Sequence, residues 1–175
     1  FAGPDAAAGV PPPPTGWGGD GGASYATYNP TLDEYLRVYG KQLQRLDLAS
    51  KTWRVQALSN GNPTWNPVAN RAQLVLDVQG QARYWLDVWS APRALIKITL
   101  ADGSVTSISL PASYVPPYGQ DHEIYLAFDP QSRTILIPNS EGMGQTSLAG
   151  LGLYHVDAGQ WEWGAVPAAV MGSVW

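Results

Sequence analysis

Tyr28-Asn29-Pro30, then Leu43-x-x-Leu46-Asp47, then Trp53 six residues after the aspartate, form a phrase that the chain uses more than once. Phe128-Asp129-Pro130 opens a second copy, and Leu153-x-x-Val156-Asp157 with Trp163 closes it at the same spacing. Trp65-Asn66-Pro67 repeats the opening, while Leu95-x-x-Ile98-Thr99 followed by Val105 is a weaker closing with Thr in place of Asp. Each opening joins an aromatic residue to an Asx-Pro turn starter, in which the side-chain oxygen accepts backbone amides and proline presets φ. Self-similarity every few tens of residues marks a solenoid, propeller or array, in which each unit is too small to bury its own apolar surface.

The residues between these marks alternate as strands do. Leu36 and Val38 precede a turn at Gly40, and Leu46 and Leu48 alternate with Arg45 and Asp47. Ala49-Ser50-Lys51 turns the chain into Trp53 and Val55. Four short strands with turns between them make one antiparallel unit over about 22–58. A second unit is expected over about 62–111. It turns at Trp65-Asn66-Pro67, runs through Leu74, Leu76 and Val78, and continues through Leu95 to Ile98, the Ala101-Asp102-Gly103 hairpin and Val105. A third, about 121–167, uses Ile124 to Phe128, Ile135 and Ile137, Leu153 to Val156, and Trp161 with Trp163. Residues 168–175 read as the start of a further unit.

Composition agrees with an all-β chain. The 175 residues are 45% hydrophobic, 14% charged, and carry 19 Gly and 15 Pro, against about a quarter charged in ordinary domains. A formal charge of −4, with no visible cluster among the ten Lys and Arg, argues against nucleic acid as a partner. No apolar run is long enough to span a bilayer as a helix. With no cysteine, thiol nucleophiles, disulfides and Cys-ligated metals are excluded, and no cofactor is expected. The segment 1–21, with Pro11 to Pro14 followed by Gly16, Gly18 and Gly19, reads as an extended, then flexible, linker. An extracellular or periplasmic setting is favoured.

The aromatic-Asx-Pro turns and the Leu-Asp-x5-Trp endings resemble those of kelch and galactose-oxidase-like β-propellers, especially divergent bacterial members, over residues 22–167. Kelch repeats also carry a Gly-Gly pair after the second strand, and only Gly40 approaches it here. The resemblance implies a partial propeller of about three four-stranded antiparallel blades. Propellers have four to eight, so the remaining blades come from a longer chain or a second copy. It also implies that ligands bind on the face formed by loops entering strand one and joining strands two to three.

On that face the sequence places Asp121-His122-Glu123 and a long connection over 80–94 with Tyr84, Trp85, Asp87 and Trp89. Clustered aromatics in a loop stack on sugars or dock a protein surface as readily as they cover a blade end. In an extended strand, Asp121 and Glu123 point away from His122, so the triplet holds a metal only with ligands from other blades, and no metal is expected. Asp47 and Asp157 stand at one recurrent position, beside a hairpin whose amides a carboxylate caps. The favoured function is a non-catalytic module recognising a protein or glycan. The alternative is a propeller enzyme, a glycoside hydrolase or oxidoreductase, with its site at the central channel. A hydrolase would need two opposed carboxylates, of which Asp20 with Asp121 or Glu123 is the available pair. A copper radical oxidase needs a Cys-crosslinked Tyr, which this chain cannot supply.

Overall fold

Three strand meanders follow one another in a computed structural model that describes residues 26–39, 41–59, 74–87, 92–114, 126–140 and 148–164. The first blade is β1 (Thr27–Asn29), β2 (Glu34–Tyr39), β3 (Gln42–Asp47) and β4 (Thr52–Ala57). The second is β5 (Val75–Asp77), β6 (Ala82–Asp87), β7 (Ala94–Thr99) and β8 (Val105–Ser109). The third is β9 (Ala127–Asp129), β10 (Thr134–Ser140), β11 (Leu148–His155) and β12 (Gln160–Gly164). Each is a four-stranded sheet with its strands in chain order, every pair antiparallel. No helix occurs among the described residues. The fold is all-β and propeller-like in part.

The first turn of every blade is built alike. Asn29, Asp77 and Asp129 end strand one and cap the loose amides that follow. Asn29 Oδ1 accepts Thr31 N at 3.2 Å, Asp77 Oδ1 accepts Gly80 N at 2.8 Å, and Asp129 Oδ1 accepts Gln131 N at 3.0 Å. Four residues after each cap the chain passes through the left-handed region, at Asp33 (φ 48°), Gln81 (φ 45°) and Arg133 (φ 49°). The second blade is therefore anchored at Leu76-Asp77-Val78, whereas sequence reasoning anchored it at Trp65-Asn66-Pro67, outside the described residues. That shift makes Leu76 part of strand one and turns Ala82–Asp87 of the expected 80–94 loop into strand two. Gly80 is required by close approach, since a Cβ there would collide with Asp77 Oδ2.

The cores lie between blades. Cross-strand partners share a face, so Leu36, Val38 and Leu43 of the first blade meet Trp85, Ile96, Ile98 and Val105 of the second in one apolar cluster. On the second blade's other face, Tyr84, Leu86 and Leu95 meet Ile135, Ile137 and Tyr154 of the third. The middle blade is thus covered on both sides, and all six residues of β6 are buried. Burial of each large apolar side chain contributes about 1.5–3 kcal/mol.

The third blade seals its inner face with aromatics. Trp161 and Trp163 stack with ring centroids 6.2 Å apart, Tyr154 lies 4.9 Å from Trp161, and Trp161 Nε1 donates to Ser109 O of the second blade at 3.0 Å. Trp163 lies over Gly152, where a Cβ would meet the ring at 2.5 Å. Gly152→Ala should therefore displace that ring and cost about 1–3 kcal/mol, read as a lower urea midpoint together with an altered near-UV circular dichroism band. Pro138 sits in β10 beyond the reach of β9, which pairs only with Thr134 to Leu136. Its missing N–H costs no ladder bond on that side.

The turn carboxylates tie stability to pH. Asp47 is held below the usual carboxylate range by the Ser50 amide, Asp102 by the Ser104 amide and Asp129 by the Ser132 hydroxyl. With folded pKa values depressed, the unfolded chain binds more protons below about pH 4, so this stabilisation is present above that pH and lost as pH falls. Thermal midpoints should drop on acidification through this window, and Asp47→Asn should flatten the slope.

Candidate functional site

The meander topology sorts the connections by end. At one end of each sheet lie the strand one–two turns (30–33, 78–81 and 130–133) and the strand three–four turns (48–51, 100–104 and 156–159). All are short. From the strand ends on the other side leave the connections between strands two and three, 88–93 and 141–147, and the two blade-to-blade crossovers, 58–74 and 110–126, equal in number of residues. In the first blade two residues, 40 and 41, separate β2 from β3. The longer connections therefore all leave from one end of the sheets and the short turns from the other.

Of the expected binding residues, Trp89, Asp121, His122 and Glu123 belong to those connections and lie outside the described residues. Tyr84, Trp85 and Asp87 do not belong to them. They lie in β6 with relative exposures of 1%, 2% and 2%, so their expected place in an exposed loop is corrected to the interior of the middle blade. Tyr84 faces the third blade and Trp85 the first. Burial pushes the Tyr84 phenol up to about 12, as suits a packed residue that stays protonated.

The short-turn end holds the charged chemistry, and it joins the blades. Asn29 Nδ2 donates to Gln81 Oε1 of the second blade at 3.3 Å. Glu34 receives two bonds from Arg45, Nε at 2.9 Å and Nη2 at 2.7 Å, while Arg45 Nη1 donates to Leu100 O of the second blade at 2.8 Å. Arg83, fully buried, reaches back to Leu36 O at 3.3 Å and Thr27 Oγ1 at 3.0 Å. Burial lowers its pKa to about 9, which leaves the guanidinium charged at neutral pH. Arg133 donates to Asp77 Oδ2 at 2.6 Å and also pairs with Asp157.

Asp47 caps its turn as expected, Oδ1 accepting Ser50 N at 2.8 Å. Asp157 instead spends its carboxylate on Arg133. His155, within β11, meets Thr134 Oγ1 at 3.1 Å and Glu162 at 3.0 Å. No group of three or more potential metal ligands occurs among the described residues. No helix of the described residues is long and apolar enough to cross a membrane.

Sequence reasoning missed the outer face of the first blade. Tyr28 and Tyr35 stand 43% and 42% exposed with ring centroids 5.4 Å apart, and Val55 is 47% exposed on the same face. Beside them Arg37 lies over the rings of Tyr39 and Trp53, each 5.7 Å from the centroid, with Nε donating to Gln44 Oε1 at 2.7 Å. Phe128, the turn aromatic of the third blade, packs against the second and third blades' shared cluster. Tyr28 is open, because its face has no preceding blade among the described residues. Strand alternation was the signal that could have found this surface.

Comparison with known proteins gives little. No family model matches the chain, and no curated protein matches it. Among solved structures it is similar to one described as the structure of U3-55K, at 5% identity and a TM-score of 0.37. The match covers 84% of this chain and 53% of that one. The chain thus spans about half the length of that structure.

Proposed function

We propose that this chain is a non-catalytic β-propeller binding module that recognises a protein or glycan through the connections at one end of its blades. The observation carrying this reading is the asymmetry of the connections. Every one long enough to form a recognition surface leaves from the same end, while at the opposite end Asp77 and Asp129 cap turns and Arg45 and Arg133 join blades. The kelch-like and galactose-oxidase-like resemblance is kept as part of the reading, supported by the Asx turns at Asn29 and Asp129.

Trp89 is the residue assigned to stack on a ligand, with Asp121, His122 and Glu123 as polar contacts from the second crossover. The test presents the chain to a printed oligosaccharide panel and to a displayed random-peptide library. Trp89→Ala should weaken any selected binder by at least about tenfold, since stacking on an aromatic contributes one to several kcal/mol, with the circular dichroism unchanged. Binding indifferent to Trp89→Ala and Glu123→Ala would overturn this assignment. Turnover of a glycoside that disappears in Asp121→Asn would replace the module with a hydrolase.

A further inference from the structure

The joints between blades follow a rule. The residue at the left-handed position of each first turn reaches back to the Asx cap of the preceding blade. Gln81 of the second blade meets Asn29 of the first, and Arg133 of the third meets Asp77 of the second. The capped positions are sealed by this contact, with Asn29 0% and Asp77 1% exposed. Asp129, the corresponding cap of the third blade, is only half-buried. Its carboxylate is bonded to Gln131 N and Ser132 Oγ of its own turn and, among the described residues, to no other blade.

The apolar faces follow a rule as well. The face a blade turns to its successor is aliphatic in the first, with Leu36, Val38 and Leu43, and largely so in the second, where Val75, Ala82, Leu86 and Leu95 surround the single aromatic Tyr84. The face turned to a predecessor carries aromatics, namely Trp85 in the second blade and Tyr154, Trp161 and Trp163 in the third. The third blade's outer face presents Leu136, Leu151 and Leu153, all partly exposed, around Thr134 and Asp129. It is a successor-facing surface without a successor among the described residues.

We propose that this face is a docking surface for a further propeller blade carrying arginine or lysine at the left-handed position of its first turn, and that it refuses a second copy of this chain. Docked head to tail, a copy would offer its first blade, whose aromatic face of Tyr28, Tyr35 and Trp53 fits the aliphatic surface. The turn residue it would bring to Asp129 is Asp33, itself an acceptor for Tyr28 Oη at 2.8 Å. Two carboxylates would meet where the internal joints place amide on amide or guanidinium on carboxylate. Like charges at a closing interface select against the wrong partner.

The experiment reverses that charge. Light scattering and sedimentation velocity at neutral pH should find the wild-type chain monomeric at concentrations where Asp33→Arg is a head-to-tail dimer, with self-association tightened by about a hundredfold or more. Arginine is tolerated at this backbone geometry, as Arg133 shows at φ 49°. Asp33→Gln, which copies the side chain of Gln81, is the milder variant with an intermediate gain. Adding Asp129→Asn to Asp33→Arg keeps the turn cap, as Asn29 does, and should abolish most of the gain. A wild-type dimer as tight as the variant, a folded Asp33→Arg that stays monomeric, or a gain that survives Asp129→Asn would each overturn the proposal.

Discussion

Trp85→Ala is expected to cost about 3–5 kcal/mol of folding stability, the range for truncating a fully buried tryptophan. Trp85 is 2% exposed in the middle of β6, paired with Ile96, and its ring joins Leu36, Val38 and Leu43 of the first blade to Ile98 and Val105 of its own. The cavity would open at the seam between two blades, where neither sheet can collapse into it without breaking its own ladder. Urea unfolding should show a lower midpoint at an unchanged slope for a two-state loss. The contrast with Trp89, four residues along the chain, is the informative part. Trp89→Ala, at the residue proposed to stack on a ligand, should be read as weakened binding of a selected ligand. Equal midpoints for wild type and Trp85→Ala would mean that the seam is not where the stability lies.

Arg133→Ala is the second large effect, expected at about 3–5 kcal/mol because it leaves Asp77 buried and charged without its partner. Asp77 is 1% exposed, and Gly80 lies close enough to its carboxylate to limit rescue by water. Asp157, the other partner of Arg133, is 68% exposed, so Asp157→Ala should cost under about 1 kcal/mol. The joint between the first and second blades supplies its own control. There Asn29 and Gln81 do the same task without charge. Asp77→Asn combined with Arg133→Gln rebuilds that neutral joint one blade along and should recover most of the loss. A double-mutant cycle would report strong coupling between the two positions. Additive losses would show that the ion pair is incidental to the joint.

Much of the architecture is legible in the chain. Asn29-Pro30 and Asp129-Pro130 mark first turns, Asp47 marks a capped hairpin, and alternation around Val38, Leu46 and Ile135 marks strands. The second blade is hard to read because its sheet is covered on both faces. Ala82-Arg83-Tyr84-Trp85-Leu86-Asp87 has no polar side to alternate with and has charges at two positions, so it resembles a decorated loop. Its first turn also dispenses with aromatic and proline, since a carboxylate at Asp77 and a tolerated left-handed Gln81 are enough. The spacing from Asp77 to β6, the same as from Asn29 to β2 and from Asp129 to β10, was the available signal. The joints were not legible at all. They pair turn residues 52 and 56 positions apart, and only the stacking of sheets brings them together.

Neighbouring repeats of similar shape face a hazard during folding: a blade can dock on the wrong neighbour, or on another chain, before its own is ready. The turn residues act here as an address. Were the third blade to stack on the first, Arg133 would be buried against the neutral Asn29, with Asp77 left open and the guanidinium short of a counter-charge. Near-identical backbones at φ 45–49° let these positions carry Gln, Arg or Asp at little difference in conformational cost. The blades can therefore share one shape and still assemble in one order.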